Sequence, residues 1–216
     1  MADNYLEKKM EDLEKRKTLH AKKRNGQKSL TFYSLVLKNR SHRGYKSDYK
    51  VSLEELKTII LTNRFIASTK NQQILRFKPI VGEEAKKMAE KIKLGGLLPE
   101  LNLPQKGFEP NAFIIVCTKP LENTMESKWT YLDLGISLQT MLLKAVSMGL
   151  NGICIGAYNK ECAKSFLPSD YEPLIVVAIG KGAEKIEIKT VKDGDSLAYF
   201  RENGIHYVPK IEDIIL

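Results

Sequence analysis

Apolar positions cluster into a few runs whose lengths and periods separate strands from helices. Residues 111–120, NAFIIVCTKP, form a continuous apolar run of strand length and strand composition. GICIGAY (152–158) and PLIVVAIG (173–180) are two more strand candidates of the same kind, and a short helix capped near Asn159 separates them. LRFKPIV (75–81) also reads as a strand, but Pro79 cannot serve a central ladder, which places this strand at an edge. The stretch 129–150, WTYLDLGISLQTMLLKAVSMGL, has a helical period with apolar residues around most of its circumference. It predicts a helix buried on nearly all sides and ending at a turn at Gly149.

Weaker patterns fill in the rest. Ser52 and Glu55 bracket a capping box ahead of an apolar run, so a helix should start near Leu53. SLVLKNR (34–40) is helical and ends at the basic residues, and 83–93 is helical in pattern. The segment 95–110, GGLLPELNLPQKGFEP, is a glycine- and proline-rich loop, long enough to suggest a functional role. The tail, 190–216, alternates turns with short extended pieces. Residues 4–24 carry Leu6, Met10, Leu13 and Leu19 in a charged background, a thin amphipathic pattern that fits either a partner-binding helix or a solvated arm. Strands and helices mix without strict alternation, and the class is therefore α+β rather than a doubly wound sheet.

Charge alters this picture mainly at the N-terminus. The 216-residue chain carries a formal net charge of +9, and residues 1–28 hold nine Lys/Arg against five Asp/Glu. The organisation expected is a charged helical arm over 1–30 and one domain over 31–216. A basic chain attracts anions: nucleic acid, acidic lipid or a phosphorylated small molecule. The charged first residues hold no apolar signal core, and no run reaches the ~18 apolar residues of a membrane span. Cys117, Cys154 and Cys162 lie at unrelated spacings, with no paired-cysteine motif for zinc, and read as free thiols. A cytoplasmic protein is the expectation, and the Asn39-Arg40-Ser41 sequon has no glycosylation role in it.

Three polar stretches carry the candidate chemistry. In KNRSHRGY (38–45), Arg40 and Arg43 could fork onto phosphate oxygens while Ser41 adds a hydroxyl; a solvated basic turn fits equally well. Nucleic acid is disfavoured, because no helix-turn-helix, RNP or zinc-finger pattern accompanies the cluster. In IASTKNQQILRF (66–77), Ser68, Asn71 and Gln73 stand directly before a strand. Amides suit a ligand edge of alternating N–H and C=O groups, although a plain helix C-terminus would read the same way. In NGICIGAYN (151–159), Gly156 and Ala157 end an apolar strand with almost no side chain. A ligand could approach the main chain closely there, or the stretch could be only a tight turn.

In this order and spacing the three stretches resemble the FMN-dependent nitroreductase family. That family's Arg-Arg-Ser-x-Arg motif is echoed by Asn39 to Arg43, and its Ser-x-x-Asn-x-Gln pattern by Ser68 to Gln73. The run from Asp133 to Leu150 resembles its central helix, Ile155-Gly156-Ala157 its flavin-facing strand end, and His206 to Lys210 its basic closing segment. The resemblance spans about residues 33–216. It implies a central, mostly antiparallel sheet flanked by helices, in an intertwined homodimer with FMN bound at the interface and NAD(P)H as reductant.

Position by position, the resemblance implies that Arg40 and Ser41 contact the phosphate and ribityl chain, and that Arg43 reaches the pyrimidine edge. Ser68 and Asn71, followed by Gln73, would face the flavin of the neighbouring subunit. Gly156 and Ala157 would cover one ring face, and Lys210 with His206 would complete the phosphate pocket. The activity implied is transfer of hydride, through the flavin, to a small oxidised acceptor such as a nitro compound or a quinone. Rival readings are another chemistry on the same fold, dehalogenation or flavin metabolism, and a basic module that binds RNA or protein. Asn39 stands where the family has its first arginine, and Ile74-Leu75 where it has Pro-Trp.

Overall fold

The computed structural model describes residues 31–96, 99–120 and 124–215. The expected arm over 1–30 lies outside the described residues. The chain divides into two units, with the boundary between Val36 and Leu37. The division falls inside the first described helix, α1 (Phe32–Lys38), where Thr31 Oγ1 accepts a hydrogen bond from the Ser34 N–H at 3.2 Å.

The second unit is built on a four-stranded antiparallel sheet, β1 (Arg76–Val81), β2 (Ala112–Thr118), β3 (Asn151–Ile155) and β4 (Glu172–Gly180), in the order β1-β2-β4-β3. Every residue of β2 is buried, as expected of a strand covered on both faces. Its side chains alternate by the period of two. Phe113 and Ile115 join one core with Ile80, Met88, Ile153 and Ala178, while Ala112, Ile114 and Val116 join the other with Leu56, Ile59, Met141 and Val177. Helices α2 (Leu53–Ile60) and α4 (Thr124–Ser147) supply the second core, α3 (Gly82–Ala89) and α5 (Lys160–Ser165) the first. β1 is an edge strand, as its proline requires.

The local signals act as read. Ser52 Oγ accepts from the Glu55 N–H at 3.2 Å while the Glu55 carboxylate accepts from the Ser52 N–H at 2.8 Å. Asn159 Oδ1 caps α5 by accepting from the Cys162 N–H at 2.7 Å. Some boundaries differ. α3 stops at Ala89 rather than running to 93, because Ile92 and Leu94 turn into bridges with Tyr158 and Leu103. α4 begins at Thr124, five residues before the expected start, and the strand expected to end at 158 ends at Ile155.

The largest difference is the burial of α4. Leu134, Met141 and Ala145 are buried against the sheet, but Trp129, Tyr131, Leu132 and Ile136 are exposed. The helix therefore lies on one sheet face, and the apolar side turned away from that sheet has no cover among the described residues.

After β4 the chain builds a second sheet of three strands, β5 (Lys185–Val191), β6 (Phe200–Glu202) and β7 (Ile205–Ile211), in the order β5-β7-β6. β5 and β7 are parallel, β6 and β7 form a hairpin, and the expected alternation of turns and extended pieces in the tail is this arrangement.

Candidate functional site

The basic turn after α1 runs along the edge of the main sheet. Ser41 pairs with Gly152 of β3 in a parallel bridge, and the His42 N–H donates to the Gly152 carbonyl at 3.3 Å. This close approach needs a glycine. A Cβ on Gly152 would lie 2.6 Å from Leu142 Cδ2, 2.8 Å from the Ala178 carbonyl oxygen and 2.9 Å from Ile179 Cδ1. The absence of a side chain at 152 thus lets the turn, β3 and α4 meet.

Where they meet, a cavity of about 290 Å³ opens between the turn, α4 and the C-terminal sheet. Arg40, Ser41, Arg43, His206 and Lys210 all line it. Five expected contact residues, separated by up to 170 positions in sequence, therefore share one wall. Asn39, in the place of the first arginine, donates from Nδ2 to Gln139 Oε1 of α4 at 3.2 Å and lines the same cavity. Burial pulls the Arg40 guanidinium below its usual range, but an arginine stays cationic at neutral pH.

The Arg43 guanidinium carbon lies 4.6 Å above the Tyr199 ring centre, and its Nη1 donates to the Ser41 carbonyl at 3.2 Å. Tyr199 also lies beside His206, with ring centres 5.2 Å apart. His206 is 2% exposed, and neither ring nitrogen has a hydrogen-bond partner among the described residues. Its Nδ1 is 4.0 Å from Glu184 Oε1, longer than a hydrogen bond. Burying an imidazole with both nitrogens unsatisfied costs free energy, so a polar group arriving in the cavity would find a partner there.

Behind this wall sits Glu184. Its Oε2 accepts from the backbone N–H groups of Arg43 and Gly44, the latter at 3.1 Å, and its Oε1 pairs with the Arg201 guanidinium. Burial by itself would raise this carboxyl. The His206 imidazole, the Arg43 N–H and the charges of Arg201 and His42 outweigh burial and hold the carboxyl below its usual range. His42 is buried as well, which pulls its imidazole down; Glu184 opposes that shift, and the neighbouring His206 and Arg43 add to it.

Gly156 and Ala157 follow the end of β3, four and five residues beyond Gly152, which is ~13 Å along a strand at ~3.3 Å per residue. Both are exposed, and a Cβ on Gly156 would meet nothing within 4 Å. The Ala157 carbonyl accepts from the Lys93 N–H at 3.2 Å, which fixes the turn.

Ser68, Asn71 and Gln73 stand elsewhere in the chain. Ser68 and Gln73 line a separate, mostly apolar cavity of about 200 Å³ bounded by Ile60, Ile66, Ile74 and Asp133. Lys70, Asn71 and Gln73 have φ of 51°, 54° and 50°, a left-handed conformation that is costly for Lys and Gln. Asp133 of α4, 4% exposed, holds this turn by accepting from the Thr69 N–H at 2.8 Å and the Thr69 hydroxyl at 2.9 Å. Gln73 Nε2 donates to Asn71 Oδ1 at 2.9 Å, and the Gln73 N–H to Ser68 Oγ at 3.3 Å.

Sequence reasoning missed Glu184, Tyr199 and Arg201, which lie in no recognisable motif. Asp133 did carry a signal, a lone carboxylate among the leucines of a helix that should be buried.

Comparison with known proteins adds a family. The nitroreductase family model matches residues 36–181, about two thirds of the chain. The match ends before Glu184, and the three-stranded sheet with Tyr199, Arg201, His206 and Lys210 lies beyond it. No curated protein matches. Solved structures share the fold. A nitroreductase family protein from Clostridium difficile 630 is 22% identical, with 72% of this chain and 86% of that chain covered and a TM-score of 0.56. A nitroreductase-like protein from Exiguobacterium sibiricum 255-15, in complex with FMN, is 20% identical, with 73% and 91% covered and a TM-score of 0.57. A variant of the FMN- and NADPH-dependent nitroreductase NfnB from Sphigopyxis sp. strain HMH is 15% identical, with 71% and 89% covered and a TM-score of 0.58.

Proposed function

The chain belongs to the nitroreductase family, and on that footing we propose that it is an FMN-dependent oxidoreductase acting on a small oxidised acceptor with NAD(P)H as reductant. The observation that carries the reading is the convergence of Arg40, Ser41, Arg43, His206 and Lys210 on one cavity. That donor set fits the phosphate and ribityl end of FMN. It offers the Arg40 guanidinium and the Lys210 ammonium for phosphate oxygens, a hydroxyl, and a buried imidazole without a hydrogen-bond partner among the described residues. The glycine at 156 fits the other end, since open space above the main chain lets a flat ring lie against it. The ~13 Å between Gly152 and Gly156 leaves room for an extended polyol chain between the two ends.

Bound there, FMN would supply two-electron hydride chemistry between a reduced nicotinamide and the acceptor. The residues of the chain bind and orient it. Arg40 and Lys210 neutralise the phosphate, while Ser41 donates to it or to a ribityl hydroxyl. Arg43, stacked on Tyr199, places a positive charge at the pyrimidine edge, where negative charge gathers on reduction. No side chain in this cavity is needed as acid, base or nucleophile.

The functional molecule in this reading is a homodimer. The uncovered face of α4, with Trp129, Leu132 and Ile136, continues onto the turn carrying Leu61 and Phe65, the latter 87% exposed. An apolar surface of this kind marks an interface. Ser68, Asn71 and Gln73, which do not reach the Arg40 cavity of their own chain, would then serve the partner's flavin. Rapid mixing of the FMN-loaded protein with NADH or NADPH without oxygen, followed by a panel of nitro compounds and quinones, tests the reading. Flavin bleached by a nucleotide and recoloured by an acceptor is the expected result. A flavin that neither nucleotide reduces would refute it.

A further inference from the structure

We propose that Glu184 is a positioning residue for this site: it clamps the Arg43–Gly44 turn to the C-terminal sheet, so that the Arg43 guanidinium and the Tyr199 ring are held facing the cavity. The inference rests on the flavin reading above for its functional consequence, but not for the clamp itself.

The geometry is that of a three-way tie. The Glu184 side chain is 9% exposed, and its two oxygens have different partners. One oxygen accepts from two successive backbone amides, those of Arg43 and Gly44, a pattern that fixes a turn much as an anion does in a nest of N–H groups. The other pairs with Arg201 of β6, which places that strand, and with it the hairpin partner β7 that bears His206 and Lys210. The Ala183 N–H donates to the Gly44 carbonyl at 3.0 Å, and Tyr45 bridges Gly182, so the segment bearing Glu184 is registered against the turn by main-chain contacts as well.

Arg43 thus has its backbone gripped from behind and its side chain supported by Tyr199 in front. The Glu184 carboxylate reaches the cavity only through these neighbours and does not line it. It also sets a negative charge against the partly buried Arg201 guanidinium. Both sides of the tie meet at a residue just past the end of the family match, so the clamp joins the shared part of the fold to the sheet beyond it.

The test uses the full chain with Glu184→Ala, Glu184→Gln, Arg43→Ala and the double variant Arg43→Ala/Glu184→Ala. In flavin-free protein, hydrogen exchange of the Arg43 and Gly44 amides should speed up by about tenfold or more in Glu184→Ala. It should return towards the wild-type rate in Glu184→Gln, which keeps an acceptor and serves as the test where the alanine variant does not fold. In FMN titrations, Glu184→Ala should weaken binding by about tenfold, but cost less than about threefold more in the Arg43→Ala background, because both act through one turn.

Unchanged exchange, or no rescue by glutamine, overturns the clamp. Full multiplicative losses in the double variant, or FMN affinity within about twofold of wild type in Glu184→Ala, overturn its link to the cavity. A wild-type protein that takes up no FMN would refute the flavin reading and the functional half of the proposal together, while the exchange measurement would still decide whether Glu184 holds the turn.

Discussion

Gly152→Ala adds a single methyl group at the point where the basic turn, β3 and α4 converge. The added carbon would sit 2.6 Å from Leu142 Cδ2, 2.8 Å from the Ala178 carbonyl and 2.9 Å from Ile179 Cδ1. Leu142 can swing aside into the cavity it lines, and Ile179, fully buried, can do so only by displacing core neighbours. The Ala178 carbonyl cannot yield, because β4 is paired to β2 on one side and β3 on the other. Forcing a methyl group into a packed site of this kind costs about 1–3 kcal/mol. Replacing glycine by alanine returns about 0.5–1 kcal/mol through the unfolded chain. At the midpoints of the two ranges the balance is a destabilisation of ~1 kcal/mol, which in a chain of this size lowers the melting temperature by about 2–4 °C. Thermal unfolding followed by circular dichroism on flavin-free protein reads it directly. FMN affinity should fall too, since a shift of β3 or a rotated Leu142 disturbs Ser41 and the cavity. A melting temperature equal to or above that of wild type would refute the packing argument.

The opposite substitution in kind is Gly156→Val, where a side chain would point into open space; FMN titration should show binding weakened by about tenfold or more, with a melting temperature within about 1 °C of wild type. A pH series should show stability flat just above neutrality, falling only once the Cys117 and Cys154 thiols, pushed up to about 11 by burial, begin to ionise in the unfolded chain near 9. The His42 imidazole is pulled down from 6.5 in the folded chain, so its contribution is present above that pH and lost as pH falls through the lower folded value. Glu184, held below 4.5, contributes above that value and fails in turn as pH drops further, and circular-dichroism melts should resolve the two losses, the first absent in His42→Gln. Leu132→Glu with Ile136→Glu, two exposed positions on α4, should convert a dimer to monomers in sedimentation at micromolar concentration and lower flavin uptake.

The strands of the main sheet were legible because each is short, apolar and bounded by turn residues, and the edge position of β1 followed from Pro79. The caps at Ser52 and Asn159 were legible because they are local chemistry. The exposure of Trp129, Tyr131, Leu132 and Ile136 was not: apolar periodicity reports that a face wants cover, not whether its own chain supplies it. Among the site residues, the spacing of Arg40, Ser41 and Arg43 was readable, and Lys210 and His206, assigned to the same pocket only through the family resemblance, line the same cavity. Asn39 proves to be tied to Gln139, a contact across 100 positions that no local pattern could announce. Glu184 and Arg201 were invisible for the same reason. Their function lies in meeting each other and the Arg43 turn, and β5 and β7 had to pair in parallel before that meeting existed.

The claim at the centre is that Arg40 and Lys210 grip a phosphate in the cavity beside Gly152. Titrating the flavin-free protein with FMN and with riboflavin, which lacks the phosphate, and following flavin fluorescence tests it most directly. Binding of one FMN per chain is expected, with riboflavin weaker by about a hundredfold and Arg40→Ala or Lys210→Ala erasing most of that difference. Equal affinity for the two flavins, or a preference for FMN that survives both substitutions, would contradict it.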